Sequence, residues 1–144
     1  MPRAFLLLLY DVLMVSLAIE DYKCRKIRNS YVQILLLMAV VSVIVMPEIP
    51  VSSRIAGMFA ASVPMAGIAM INPGSFGGGD AKLAFASGAF LGVELVAKGT
   101  VTAILLAGVY CIWMVCIKRA CRNVQFALGP FLSMGYVMSA FALF

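Results

Sequence analysis

The stretch Gly77-Gly78-Gly79-Asp80-Ala81-Lys82-Leu83 decides how this chain is read, because it sets a carboxylate where a glycine run meets an apolar segment. Three consecutive glycines let another chain approach closely, and Asp80 opens a helix-like run over 81–97. Taken alone, such a run reads as a loop followed by an N-cap. Its weight comes from where the other acids lie.

Composition fixes the setting. Of 144 residues, 64% are hydrophobic and 12% charged, with a mean hydropathy of +1.07, far too apolar for a soluble domain of this size. The chain belongs in a bilayer. It contains no histidine, which excludes Ser-His-Asp and Cys-His catalysis and zinc sites of the His-Glu-x-x-His type. Hydrolytic chemistry therefore falls to six acids: Asp11, Glu20, Asp21, Glu48, Asp80 and Glu94. Cys24, Cys111, Cys116 and Cys121 form no Cys-x-x-Cys pair, so no metal cluster is expected, and Cys111 and Cys116 read as small apolar filling. No cofactor is implied. The net charge of +5 sits between apolar runs, the pattern of membrane anchoring and not of nucleic-acid binding.

Apolar runs over about 4–20, 31–46, 54–71, 81–97, 98–117 and 126–144 predict an all-α integral membrane protein, a single domain over 1–144 with about six transmembrane helices. The first run continues past Asp11 into a basic loop, so it reads as a span and not as a signal peptide. With alternating sides, one side collects Lys23, Arg25, Lys26, Arg28, Lys82, Lys118, Arg119 and Arg122, and the other only Arg3, Arg54 and Lys98. The positive-inside rule puts the first group in the cytoplasm and both termini on the non-cytoplasmic side. Locally, Ser30-x-x-Gln33 predicts a capping box for the second helix, and Ser52 or Ser53 a cap for the third. Pro64 predicts a kink in the third helix, Asn72-Pro73-Gly74 its end, and the Ala84, Gly88, Gly92 spacing a close helix contact in the fourth.

This topology sorts the acids by depth. Asp21 closes the first helix and Asp80 opens the fourth on the same, cytoplasmic side. Glu48 lies in an outer loop, Glu94 about 21 Å beyond Asp80 and Asp11 about 15 Å from Asp21, near mid-membrane. Only Glu20 competes with Asp21, from a direction about 100° around the helix. Two carboxylates in a partly desolvated site titrate as a coupled pair, one keeping its proton while the other ionises. That is the state that activates water and protonates a peptide oxygen. The plainer readings are a solvated Asp21 paired with Lys23 or Arg25, an Asp80 that only caps its helix, and an Asp11 that is either functional or a hydrogen-bonded structural acid.

At these residues the chain resembles the type IV prepilin peptidases, bacterial members of the Gly-x-Gly-Asp class of membrane aspartic proteases. Asp21-Tyr22-Lys23-Cys24-Arg25-Lys26-Ile27-Arg28-Asn29 resembles the family's first-aspartate segment, an Asp followed by basic residues and Ile-Pro-Asn. Gly77 to Leu83 fits the second, Gly-x-Gly-Asp-x-Lys-Leu, and Gly129-Pro130-Phe131-Leu132 resembles the last-helix signature. Arg28 replaces the usual Pro, and Ala127 stands where many members carry Pro. The methyltransferase segment of larger members, with its Cys-x-x-Cys pairs, has no counterpart, so the chain resembles a peptidase-only form as in Tad/Flp-type or archaeal systems.

The resemblance implies an aspartic endopeptidase of the inner (cytoplasmic) membrane that removes the leader from prepilin or pilin-like precursors, with Asp21 and Asp80 catalytic. Gly77, Gly78 and Gly79 would close on an extended substrate backbone, and Lys82, Asn29, Gly129 and Pro130 would support the motif. Lipid phosphates are the expected partners of the basic loop. The competing classes are a transporter or assembly subunit using Asp11 and Glu94, and a Gly-x-Gly-Asp protease acting on other membrane peptides.

Overall fold

The structure, a computed structural model, describes residues 2–24, 27–71, 77–117 and 128–143. These form six α-helices: α1 (Pro2–Cys24), α2 (Asn29–Val45), α3 (Val51–Ile71), α4 (Gly78–Leu91), α5 (Val93–Cys116) and α6 (Gly129–Ala140), which closes with a 3-10 turn over Phe141–Leu143. The chain is an all-α, multi-span membrane protein. α1, α3 and α5 are long and apolar enough to cross a bilayer, and α2 and α6 are shorter apolar helices. Asn72-Pro73-Gly74, Arg25, Lys26, Lys118, Arg119, Cys121, Arg122, and the expected start of the last span at 126 with Ala127 lie outside the described residues.

Side-chain bonds at the two ends show that the helices alternate in direction. At one end Arg3 pairs with Glu48 at 2.8 Å and donates to the Leu143 carbonyl at 2.6 Å. The start of α1, the α2–α3 loop and the last turn therefore share one level. At the other end Lys82 Nζ donates to Asn29 Oδ1 at 3.1 Å, and Gly79 packs on Ile27. α4 sits between α2 and α3, while α6 packs against α1 and α5.

Small residues set the α3–α4 crossing. A Cβ on Gly57 would stand 2.7 Å from the Gly88 carbonyl oxygen, and a Cβ on Gly88 would overlap the Gly57 backbone. The helices meet backbone to backbone, as the small-residue spacing in the fourth helix predicts.

The expected fourth and fifth helices, 81–97 and 98–117, are redrawn. α4 stops at Leu91 and α5 begins at Val93, because Gly92 takes φ 81°, a left-handed conformation that breaks the helical run inside an unbroken apolar stretch. Glu94 consequently lies in the first turn of α5, paired with Lys98 at 2.6 Å, and not near the end of α4. Ser53 does not cap its own helix; its Oγ accepts the Val93 N–H at 3.2 Å, across the fold. Ser30 makes no capping box, since α2 starts two residues earlier than expected, at Asn29 after Arg28, whose side chain pairs with Glu20 at 2.8 Å. Pro64 lies inside α3, which runs on to Ile71. Cys111 is half-buried and Cys116 exposed, so the second is not core filling.

Arg54 was expected only as an outer charge, yet it is 2% exposed. Its guanidinium donates to the carbonyls of Ser42, Met46, Ile49, Ala89 and Phe90 at 3.0–3.3 Å and to Ser42 Oγ at 2.5 Å. The Ser42, Met46, Ala89 and Phe90 carbonyls close α2 and α4, where the negative end of the helix dipole lies, and Ile49 belongs to the loop between α2 and α3. One buried cation thus closes two helices. Arg54→Met strands those acceptors and is expected to cost about 3 kcal/mol, read as a lowered unfolding midpoint in detergent.

Candidate active site

The site is levelled by an aromatic contact in the middle of the bundle. Tyr10 of α1 and Phe90 of α4 are both fully buried and stack with ring centroids 4.3 Å apart and planes within 3°. From that contact α1 runs toward Asp21 and antiparallel α4 runs back toward Asp80. Eleven residues on one helix and ten on the other cover about 16 Å and about 15 Å. Both carboxylates therefore arrive at the same height, although they are far apart in the chain.

Asp21 is 5% exposed and Asp80 7%. Asp21 lies against the start of α6, where the Gly129 N–H hydrogen-bonds its carboxylate. A Cβ on Gly129 would stand 2.7 Å from Asp21 Cγ, so the glycine is what allows the backbone so near the acid. Pro130 occupies the first turn of α6, where a missing N–H costs nothing. Asp80 sits in the first turn of α4; its Oδ2 accepts the Gly77 N–H at 3.1 Å, while its own N–H donates to the Gly77 carbonyl at 3.0 Å. The capping role weighed in the sequence is thus real, and it leaves the second carboxylate oxygen outside that bond.

Burial pushes the Asp80 carboxyl up to about 6; the Gly77 hydrogen bond opposes the rise and the nearby Asp21 charge adds to it. Glu20, the rival to Asp21, is held away by Arg28. The glycines differ in role. A Cβ on Gly77 would press on Asp80 Oδ2 at 3.3 Å and one on Gly79 would meet Ile27 at 3.0 Å, whereas one on Gly78 would find nothing within 4 Å. Lys82 and Asn29 meet each other, tying α4 to α2, and neither touches the two aspartates. Asp11 has one buried carboxylate oxygen without a hydrogen-bond partner, away from the pair. Among the described residues no group of His, Cys, Asp or Glu is clustered to hold a metal ion.

Sequence reasoning missed Tyr10 and Phe90 as determinants of the site. The signal was present as two aromatics at nearly equal chain distances from the two acids on antiparallel helices.

Paired, desolvated carboxylates at one end of a multi-span helical bundle define a membrane aspartic-peptidase arrangement. Residues 8–112 match the family described as the type IV leader peptidase family, and the chain belongs to it. With that membership goes aspartic endopeptidase activity on prepilin-type precursors. No curated protein and no solved structure matches the chain.

Gly129→Ala forces the α6 start off Asp21; processing is expected to fall at least tenfold, with membrane insertion unchanged on a protease-protection gel. Asp80 also makes stability depend on pH. Its folded pKa, about 6, lies above the unfolded value, so its contribution is fully present below about pH 4 and lost as pH rises through about 6. Between those limits the unfolding midpoint of the wild type should drop, and Asp80→Asn should flatten that slope.

Proposed function

We propose that Asp21 and Asp80 are the catalytic pair, and that they stand at the cytoplasmic face of the inner membrane in a six-span topology with both termini outside. The observation that carries this reading is the convergence of two buried acids at one level, close enough that burial and the Asp21 charge both raise Asp80 and the two titrate as a coupled pair. The orientation is supported by the sorting of basic residues along the sequence, with Lys23, Arg25, Lys26, Arg28, Lys82, Lys118, Arg119 and Arg122 assigned to the aspartate side against Arg3, Arg54 and Lys98 on the other.

A precursor lies with its leader in the cytoplasm and its apolar segment in the bilayer. The ionised carboxylate takes a proton from water as the oxygen attacks the scissile carbonyl carbon, and the protonated partner donates to the carbonyl oxygen. Collapse of the tetrahedral adduct expels the amine, which leaves with a proton, and the pair returns to its singly protonated state. The chemistry is symmetric in the two acids. The Gly77 to Gly79 edge accepts an extended substrate backbone, with Gly78 kept bare for it.

Asp21→Asn and Asp80→Asn are each expected to abolish leader removal, by at least a thousandfold, while the protein stays inserted; precursor and product are resolved by mass spectrometry. Asp11→Asn and Glu94→Gln are expected to process normally. The reverse pattern, sensitivity at Asp11 or Glu94 with activity in either Asn variant at the pair, overturns the assignment in favour of ion coupling. Gly78→Val has room in the free protein, so it should leave the unfolding midpoint in place and cut processing at least tenfold.

A further inference from the structure

The aspartates are nearly closed off inside the bundle, so a membrane-held substrate reaches them from the side, over a helix that leaves both an open edge and a place for the rest of the substrate. α4 offers both. Its first residue, Gly78, is exposed with free space above it. Around its outer face runs an apolar groove of about 310 Å³, lined by Val32 of α2, Phe59, Ser62 and Val63 of α3, and Ala81 and Phe85 of α4. Phe59 and Phe85 meet edge to face, 5.8 Å between centroids, within its lining.

The groove starts at Ala81 and Lys82, the two residues that follow Asp80. Lys82 also lines it, and the Lys82–Asn29 bond fixes the separation of α4 from α2 there. Its remaining wall is uncharged, so it suits an apolar helix and rejects the charged leader. Val63 is 58% exposed and Phe59 52%, leaving the wall free for a second helix to cover.

We propose that this α2–α3–α4 groove holds the apolar transmembrane segment of the precursor, and that the chain unwinds at its cytoplasmic end to pass over Gly78 to the aspartates. This rests on the peptidase reading above and names the surface through which the substrate is held. α4 then separates the two parts of one substrate: the apolar helix on its lipid side and the scissile bond on its inner side. Continuity with Asp80 decides against a lipid chain as the principal occupant, since a lipid fills the groove but has no backbone to lay across Gly78.

The test uses the full chain in liposomes with a type IV pilin precursor carrying its leader and apolar segment. A photoreactive benzoylphenylalanine at Val63, in the Asp80→Asn background that keeps the precursor whole, is expected to crosslink to the precursor's apolar segment. The same probe at Val109, a 67% exposed residue on α5, is expected not to. In the otherwise native chain Val63→Trp should raise the KM for precursor at least fivefold, and Val109→Trp should leave it unchanged. Equal crosslinking at both positions, capture of lipid alone at Val63, or an unchanged KM in Val63→Trp overturns the proposal. The two readings fail separately. Native chain that cleaves without a Val63 crosslink removes the groove and keeps the catalytic pair; a specific crosslink with full activity in Asp21→Asn keeps the groove and removes the pair.

Discussion

The stacking of Tyr10 on Phe90 is the constraint from which the site geometry follows. A carboxylate pair tolerates little error in height, because one helical residue is a step of about 1.5 Å and coupling between two charges falls with their separation. Two rings packed face to face in a dry core resist sliding, since displacement loses contact area and opens a void. The contact thus works as a fixed origin: identical geometry on both helices carries the acids back to one plane. Each ring lies about three helical turns from its acid, yet the alignment of the two acids depends on both.

The bundle is polarised by chemistry as well as by direction. At one end, helix starts meet acids: α6 presents Gly129 to Asp21, and the start of α4 carries Asp80 with Gly77. At the other, helix ends meet a cation, as Arg54 gathers the closing carbonyls of α2 and α4. Each arrangement matches the sign of the helix dipole. The two differ in consequence. Arg54 has six acceptors and is satisfied, a brace with no spare capacity, whereas burial raises the Asp80 carboxyl to about 6, where it exchanges its proton readily.

Much of the architecture was legible from the chain. Sorting Lys and Arg by loop put Asp21 and Asp80 on one side, and the structure does bring them to one end of the bundle. The capping reading of Asp80 was also legible and coexists with the pairing. What stayed hidden had no one-dimensional signature. The break at Gly92 lies within a continuous apolar run, where a glycine fits helix and turn alike and only the approach of Ile49 and Ser53 decides. Arg54 finds backbone carbonyls, which every sequence possesses, so nothing marked it as buried. Ser53 caps a helix 40 residues away, beyond the reach of a local motif.

The Gly57–Gly88 crossing also sets how far the acids sit from the rim of the bundle. Beyond it α3 continues for about 21 Å to Ile71, whereas α4 reaches Gly78 after about 15 Å. The neighbouring wall overhangs the first turn of α4 by about 6 Å, roughly two residues of fully extended chain. The Asp80 edge therefore lies below a step whose height is fixed by the relative lengths of two helices.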